Sequence, residues 1–192
     1  MSKPRLSPGL SSNTAYNSTS LENRPTFYGV RGTSGSGKST LARAVIELYG
    51  EKKELFIPGR TRPISYLLSR PRHSYMTRKL VVLGSYATPC GGLDGIPSRE
   101  VQFHLIRSAI KNGHDVLGEG VVFSDEVKRT VELYQDGIRV LVISLTTPLE
   151  QCLQQIMNRR LAKNPEAQPV NPDNPARRMP AIHRAVDKLK QA

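Results

Sequence analysis

One short segment of the chain carries residue types suited to binding a nucleoside triphosphate. Residues 32–39 read Gly-Thr-Ser-Gly-Ser-Gly-Lys-Ser and match G-x-x-x-x-G-K-[ST] in full. The glycines let successive backbone N–H groups converge on a phosphate, Lys38 can place its charge between the β- and γ-phosphates, and the Ser39 hydroxyl can contact Mg²⁺. The segment therefore predicts a phosphate-binding loop (P-loop) for ATP. The expected nucleotide contacts are Gly32, Thr33, Ser34, Gly35, Ser36, Gly37, Lys38, Ser39 and Thr40.

The residues on either side of this segment favour a strand before it and a helix after it. Residues 26–30 are Thr-Phe-Tyr-Gly-Val, a short run of strand character. Apolar residues then recur at helical spacing, at positions 41, 44, 45 and 48. A strand, a glycine loop and a helix in this order form the context in which the motif binds phosphate. The pattern does not distinguish ATP from GTP directly, but no N/T-K-x-D guanine motif is present, so ATP is expected.

Further strands and helices alternate along the chain. Strands are expected at 54–57, 63–68, 79–83, 114–118 and 138–145, the last being the clearest buried strand; helices are expected at 98–112, 124–135, 148–162 and 181–190. This order predicts an α/β fold of the P-loop nucleotide-kinase type, with a mainly parallel sheet, helices on both faces and a short lid. The proline-rich stretch 164–180 is expected to lack regular structure.

Length and composition limit the organisation and the partners of the protein. Residues 1–24 are rich in Ser, Asn, Thr and Pro and are expected to form a flexible tail, so that 25–192 form one domain. The net charge of +12 favours a polyanionic partner, although a generally basic surface would give the same balance. Two distant cysteines indicate a reducing compartment, and no apolar run reaches the length of a membrane span. A cytoplasmic location without a membrane partner follows as the expectation.

Two carboxylates are candidates for catalysis. Glu119 follows a predicted strand, where it could hold a water of the Mg²⁺ shell or accept a proton from an attacking hydroxyl. Asp94 lies in the glycine-rich segment 83–96, where glycines permit close approach of a flat or anionic substrate and Tyr86 could offer a stacking surface. The alternatives are a surface glutamate and an Asp-Gly turn residue.

Arginines supply two further groups of candidates. Arg159 and Arg160 end a predicted helix and precede the proline-rich loop, so they fit a lid, at about residues 157–180, that closes over a transferring phosphoryl group. Arg177 and Arg178 are further candidates beyond that loop, and solvated arginines at a helix end are the alternative. A second, basic group is interleaved with rings that could stack on bases. It comprises Arg60, Arg62, Arg70, Arg72, Arg78 and Lys79, with Tyr66, Tyr75 and His73.

A second pattern adds a resemblance to a known family. Gly84, Tyr86, Gly91, Gly92, Asp94 and Ile96 form G-x-Y-x-x-x-x-G-G-x-D-x-I. With the P-loop, this pattern resembles the phage-encoded P-loop kinases of DNA base hypermodification, over roughly residues 26–163. The resemblance implies ATP- and Mg²⁺-dependent phosphoryl transfer to the hydroxymethyl group of 5-hydroxymethyluracil in DNA, inside the host cell cytoplasm. It implies that Asp94 and Glu119 are activating or metal-linked carboxylates, without deciding which is which.

The candidate site residues fall into three roles. The catalytic candidates are Lys38, Asp94, Glu119, Arg159 and Arg160; the substrate candidates are Arg60, Arg62, Tyr86, Gly91, Gly92 and Asp94; and the metal candidates are Ser39 and Glu119. Two other functions fit a P-loop in a basic chain. One is a kinase of a nucleotide, nucleoside or sugar, and the other is a DNA-binding accessory that hydrolyses ATP slowly.

Overall fold

The computed structural model describes residues 24–49, 51–69, 78–88 and 91–192, and these ranges contain one six-stranded sheet. The strands are β1 (Thr26–Arg31), β2 (Glu51–Leu55), β3 (Ser65–Ser69), β4 (Leu80–Leu83), β5 (Asp115–Glu119) and β6 (Arg139–Ser144). The helices are α1 (Lys38–Leu48), α2 (Arg99–Lys111), α3 (Lys128–Gln135), α4 (Leu149–Leu161) and α5 (Asp173–Gln191). A 3₁₀ turn at Leu93–Gly95 precedes α2.

The sheet is mixed but mostly parallel, with strand order β2-β3-β4-β5-β1-β6. Strands β4, β5, β1 and β6 run parallel, whereas β3 is antiparallel to both β2 and β4. The segment between β2 and β3 has no helix, and a short connection joins antiparallel strands more readily than parallel ones. The prediction of an α/β fold with a mostly parallel sheet is therefore confirmed.

Alternating side chains of the central strands enter two cores, one on each face of the sheet. On one face, Phe27 and Val116 pack with Phe103 and Ile106 of α2. On the other face, Val30, Leu117 and Val82 pack with Ala42 of α1. This alternation, with a period of two residues, decides which face each strand-end residue occupies. Glu119 consequently falls on the α1 face, the face that carries Leu117 two residues earlier.

Two sequence predictions about regular structure are wrong. Strand β6 lies at one edge of the sheet, and Leu141 in it is 40% exposed, so its apolar run does not indicate burial on both faces. Helix α5 begins at Asp173, within the stretch expected to be irregular. Pro172 and Pro175 lie at the cap and in the first turn, where a missing N–H breaks no helical hydrogen bond. Pro180 lies inside the helix, which buries Ile182 immediately after it.

The remaining predicted elements occur with shifted ends. Helix α3 begins at Lys128 rather than at 124, because residues 121–125 form turns. Strand β2 begins at Glu51, three residues before the predicted start at 54. Helix α2 has the predicted cap, since the Ser98 side chain accepts a hydrogen bond from the Val101 N–H. Within the described ranges, none of the helices combines the length and apolar character needed to cross a bilayer.

Candidate active site

A cleft of about 620 Å³ opens beyond the carboxyl ends of β1 and β5. It is the place where a mostly parallel sheet with helices on its faces commonly binds ligands. Most of the predicted site residues meet here, together with several that were not predicted. The lining residues are Ser34, Gly35, Gly37, Lys38, Ser39, Thr40, Arg43, Gly91, Asp94, Glu119, Val121, Gln155, Asn158 and Arg159.

The glycine loop, residues 32–39, connects β1 to α1 and forms one end of the cleft. At Gly35 φ is +79°, and an added Cβ would collide with the Cys152 carbonyl of α4, so no side chain fits there. The Lys38 ammonium is buried and donates hydrogen bonds to the carbonyls of Gly32 and Thr33, both at 2.9 Å. Burial lowers the pKa of Lys38, and the nearby Glu119 and Asp94 carboxylates oppose that shift.

Glu119 is the last residue of β5, and its side chain faces the start of α1. It is 1% exposed, and its Oε1 accepts a hydrogen bond of 2.8 Å from the Ser39 hydroxyl. Burial raises the pKa of Glu119, while the Ser39 hydrogen bond and the Lys38 charge act in the opposite direction. A hydroxyl and a carboxylate held this closely form a pair of oxygen ligands of the kind that Mg²⁺ prefers.

Asp94 lies in the 3₁₀ turn and lines the same cleft as the glycine loop. Its two carboxylate oxygens accept hydrogen bonds from the N–H groups of Val121, at 2.7 Å, and Val122, at 3.1 Å. The carboxylate is therefore held in one orientation by the turn that follows β5. Each oxygen has a second lone pair, so the same carboxylate can both fix this turn and accept a proton at the cleft.

The two glycines before Asp94 allow close packing of the protein against itself. Gly92 has φ of +85°, and an added Cβ would approach Glu119 Oε1 to 2.5 Å. An added Cβ at Gly91 would lie 2.7 Å from the ring of Tyr86. These contacts place the Asp94 turn directly against the end of β5. Gly91 also lines the cleft, whereas Gly92 does not.

Replacing Gly92 with alanine should destabilise the fold. The positive φ and the collision with Glu119 together should lower the free energy of unfolding by about 1–3 kcal/mol. Gly95→Ala is the matched control, because an added Cβ at Gly95 meets no atom within 4 Å. Urea denaturation of both variants tests this, and equal stabilities would contradict the packing role of Gly92.

Tyr86 does not offer the exposed stacking surface that the sequence suggested. It is 9% exposed, and its backbone N–H donates to the Tyr66 hydroxyl, which is also buried. The Arg43 guanidinium lies 5.9 Å from the centre of the Tyr86 ring. Burial raises the pKa of Tyr86 well above its usual value, and the Glu119 charge adds to that shift. A buried ring of this kind supports the wall of the cleft rather than presenting a free face to a base.

The four arginines expected near a lid occupy different positions. Arg159 lines the cleft from the last turn of α4. Arg160 instead donates to the carbonyls of Gln168 and Pro169, and so holds the connection between α4 and α5. Arg177 contacts Asn174 in its own helix, whereas Arg178 donates to the Val121 carbonyl at 3.3 Å. Only Arg159 of these four is among the residues that line the described cleft.

The predicted basic group is partly described. The Arg60 guanidinium donates to the Gly95 carbonyl at 2.8 Å, and Arg62 is exposed; neither lines the cleft. Arg78 pairs with Asp115 at 3.5 Å, and Lys79 is exposed. The others, Arg70, Arg72, His73 and Tyr75, lie outside the described residues.

The structure adds cleft residues that sequence reasoning did not select. Arg43 follows Ser39 by four residues on α1 and donates to the Thr88 carbonyl, so helical spacing could have identified it. Gln155 and Asn158 precede Arg159 on the same helix, and the side-chain Oδ1 of Asn158 accepts a hydrogen bond from the Gln154 side-chain amide.

Two buried polar residues, Ser124 and Arg31, support the start of the glycine loop. The Ser124 hydroxyl contacts the Gly32 N–H at 3.1 Å, the Gly32 carbonyl at 3.0 Å and the Gly120 carbonyl at 2.6 Å. The fully buried Arg31 guanidinium stacks over the Phe123 ring and donates to the Thr130 hydroxyl. Burial lowers the pKa of Arg31 to about 10. No motif in the sequence signals these contacts.

Comparison with known proteins assigns the chain to a family. A 5-hmdU DNA kinase of Pseudomonas phage PaMx11 is 46% identical over 145 residues, which are 76% of this chain and 75% of the phage protein. The 5-hmdU DNA kinase of Delftia phage PhiW-14 is 25% identical over 88% of this chain and 65% of its own length, and that of Bacillus phage SP10 is 24% identical over 68% and 20%. No protein-family model matches. On the strength of the first similarity, this chain belongs to the family of phage 5-hmdU DNA kinases.

Proposed function

We propose that the protein transfers the γ-phosphoryl group of ATP to the hydroxymethyl group of 5-hydroxymethyluracil in phage DNA. One observation carries the proposal. In a chain of this family, one cleft is lined by the groups that phosphoryl transfer uses: a lysine, a hydroxyl paired with a carboxylate, a second carboxylate and an arginine. These are Lys38, Ser39 with Glu119, Asp94 and Arg159. These groups supply the positioning and the charge neutralisation that phosphoryl transfer requires.

The glycine loop would hold the triphosphate, in a fold of the P-loop NTPase type. Residues of this loop, Lys38 among them, line the cleft, so its backbone N–H groups and the lysine charge would hold the β- and γ-phosphates there. Ser39 and Glu119, whose side-chain oxygens are 2.8 Å apart, would hold Mg²⁺. When bound, Mg²⁺ neutralises charge on the phosphate oxygens during transfer.

Asp94 would act on the acceptor hydroxyl. It lines the cleft, its oxygens are fixed by two backbone N–H groups, and it is exposed. A primary alcohol is a weak nucleophile near neutral pH, so a carboxylate within hydrogen-bond reach would accept its proton during the transfer. Arg159 would contribute positive charge from α4, as part of a short lid formed by the end of α4 and the residues before α5.

The size of the substrate imposes a further requirement. A hydroxymethyl group inside a base stack cannot line up with a phosphate bound in a cleft of this kind, so a duplex substrate must have the modified base flipped out. The flanking phosphates would then remain at the mouth of the cleft, and the net charge of +12 over the whole chain favours binding of such a polyanion. We place this activity in the host cell cytoplasm, within one kinase domain over residues 25–192.

The test offers γ-labelled ATP to the protein together with several acceptors. These are an oligonucleotide with one 5-hydroxymethyluracil, single-stranded or duplex, the same oligonucleotide with thymine, and the free nucleoside and nucleotide. Label is expected in the modified DNA and not in the thymine control. Preferential labelling of the nucleoside or nucleotide would replace the proposal with a small-molecule kinase. Release of labelled phosphate without a labelled acceptor would instead support a DNA-dependent ATPase.

A further inference from the structure

The connection between β2 and β3, residues 56–64, presents an exposed aromatic ring beside the acceptor side of the cleft. Phe56 is 52% exposed, whereas the next residue, Ile57, packs against the core. Among the aromatic side chains that the structure describes, Phe56 and Tyr134 are the exposed ones. Tyr66 and Tyr86, the described rings that sequence reasoning placed in DNA binding, are both buried.

This connection is attached directly to the turn that carries Asp94. Arg60 donates from its guanidinium to the Gly95 carbonyl at 2.8 Å, one residue beyond Asp94. Ile64, at the end of the connection, shares a hydrophobic core with Leu93, the first residue of the turn, and with Ile96, which follows the turn. The position of Phe56 relative to the acceptor side is therefore set by a hydrogen bond and by core packing.

The charge around Phe56 suits a polyanion. Arg62 is exposed and makes no ion pair with any residue in the described ranges, and Arg60 is engaged there by a carbonyl rather than by a carboxylate. Neither guanidinium is therefore paired with a carboxylate within the described ranges. An exposed ring in the same short connection as arginines without a carboxylate partner in the described ranges is a combination suited to single-stranded or splayed nucleic acid, because rings stack on bases and arginines contact phosphates.

We propose that Phe56 and Arg62, positioned by Arg60 on Gly95, form a DNA-binding surface beside the cleft. The Phe56 ring stacks on a base of the substrate strand, and Arg62 contacts a phosphate. The identification of the ligand as DNA rests on the proposed function. The surface lies outside the cleft, so it contributes to binding of the polymer and not to the chemistry on the modified base.

The test measures binding of a fluorescent single-stranded oligonucleotide by anisotropy, which requires no phosphoryl transfer. Phe56→Ala should raise Kd about 5- to 140-fold, the equivalent of about 1–3 kcal/mol per stacked base at 1.4 kcal/mol for each tenfold change. Phe56→Trp should restore binding, because a larger ring also stacks. Tyr134→Ala removes an equally exposed ring from α3 and should leave Kd unchanged.

Arg62 gives an independent readout. Arg62→Ala should reduce the slope of log K against log salt by about 1, the value expected for one lost phosphate contact. Lys111→Ala, at the end of α2, should leave the slope unchanged. An unaltered Kd in Phe56→Ala, or equal weakening by Tyr134→Ala, would overturn the inference. If the wild type phosphorylates modified DNA and Phe56→Ala binds DNA as the wild type does, the inferred surface is wrong and the proposed function stands. If DNA binding depends on Phe56 but no modified DNA is phosphorylated, the surface stands and the proposed function is wrong.

Discussion

Lys38→Ala should lower kcat for phosphoryl transfer by about 10²- to 10³-fold, the range observed when one preorganised donor to transition-state charge is removed. The ammonium is buried at the end of the cleft and now donates to two carbonyls of its own loop. ATP would bring phosphate oxygens to the same place, and the lysine charge would act as charge redistributes over the transferring group. Single-turnover assays with labelled ATP measure the effect.

The fold of the Lys38 variant should remain intact. Removing a buried charge also removes its desolvation cost, which offsets the loss of the two hydrogen bonds to the loop. Lys52→Ala, at an exposed lysine of β2, is the control for loss of one positive charge. Near wild-type transfer by a correctly folded Lys38→Ala protein would remove the glycine loop from the mechanism.

Asp94→Asn should lower kcat by roughly 10²-fold or more and leave binding of Mg·ATP unchanged, since general base catalysis contributes about that much. Glu119→Gln should instead weaken binding of Mg·ATP, because its carboxylate contacts Ser39 on the nucleotide side. Calorimetric titration with a non-hydrolysable ATP analogue, combined with turnover measurements, separates the two effects. If Asp94→Asn stays active while Glu119→Gln binds Mg·ATP but is inactive, the roles are exchanged.

Because Val121 and Val122 donate hydrogen bonds to Asp94, the loss of activity in Asp94→Asn cannot be assigned to the lost charge from that variant alone. Asparagine has a single acceptor oxygen, so one of these bonds is lost together with the charge. Gly120→Ala supplies a complementary variant. An added Cβ there would lie 2.7 Å from Asp94 Oδ1, which displaces the carboxylate and keeps its charge. If position matters for proton acceptance, Gly120→Ala should lower kcat as well, by less than Asp94→Asn and without a change in nucleotide binding.

Local patterns predicted the central part of the fold and most of the glycine-loop residues that line the cleft. The strand before the glycine loop, the capped helix after Ser98 and the strand ending at Glu119 all follow from spacing and caps. Interactions that join distant segments could not be predicted in this way. The order of the strands, the edge position of β6 and the helix begun at Asp173 depend on packing between elements far apart in sequence.

The acceptor side of the site shows the same limit. A glycine pattern suggested space for a substrate at Gly92, whereas the structure fills that space with Glu119. Composition singled out tyrosines as stacking rings, but burial depends on tertiary structure and leaves Phe56 exposed instead. Arg43 and Asn158 line the cleft because of the helix faces on which they lie. Which face of a helix points toward the cleft depends on how the helix packs on the sheet, and the sequence alone does not give that packing.

The Ser124 hydroxyl contacts both Gly32 of the nucleotide loop and Gly120, which adjoins the turn whose amides hold Asp94. The two parts of the cleft that we propose to bind ATP and the acceptor therefore share one fully buried support. A nucleotide that displaces Gly32 would shift this support and, with it, the turn that holds Asp94, so we expect the binding of the two substrates to be thermodynamically linked. By reciprocity, whatever factor ATP applies to the affinity for DNA, DNA applies to the affinity for ATP. Selective use of ATP on the correct strand can thus arise from the scaffold beneath the cleft, without any contact between the two substrates.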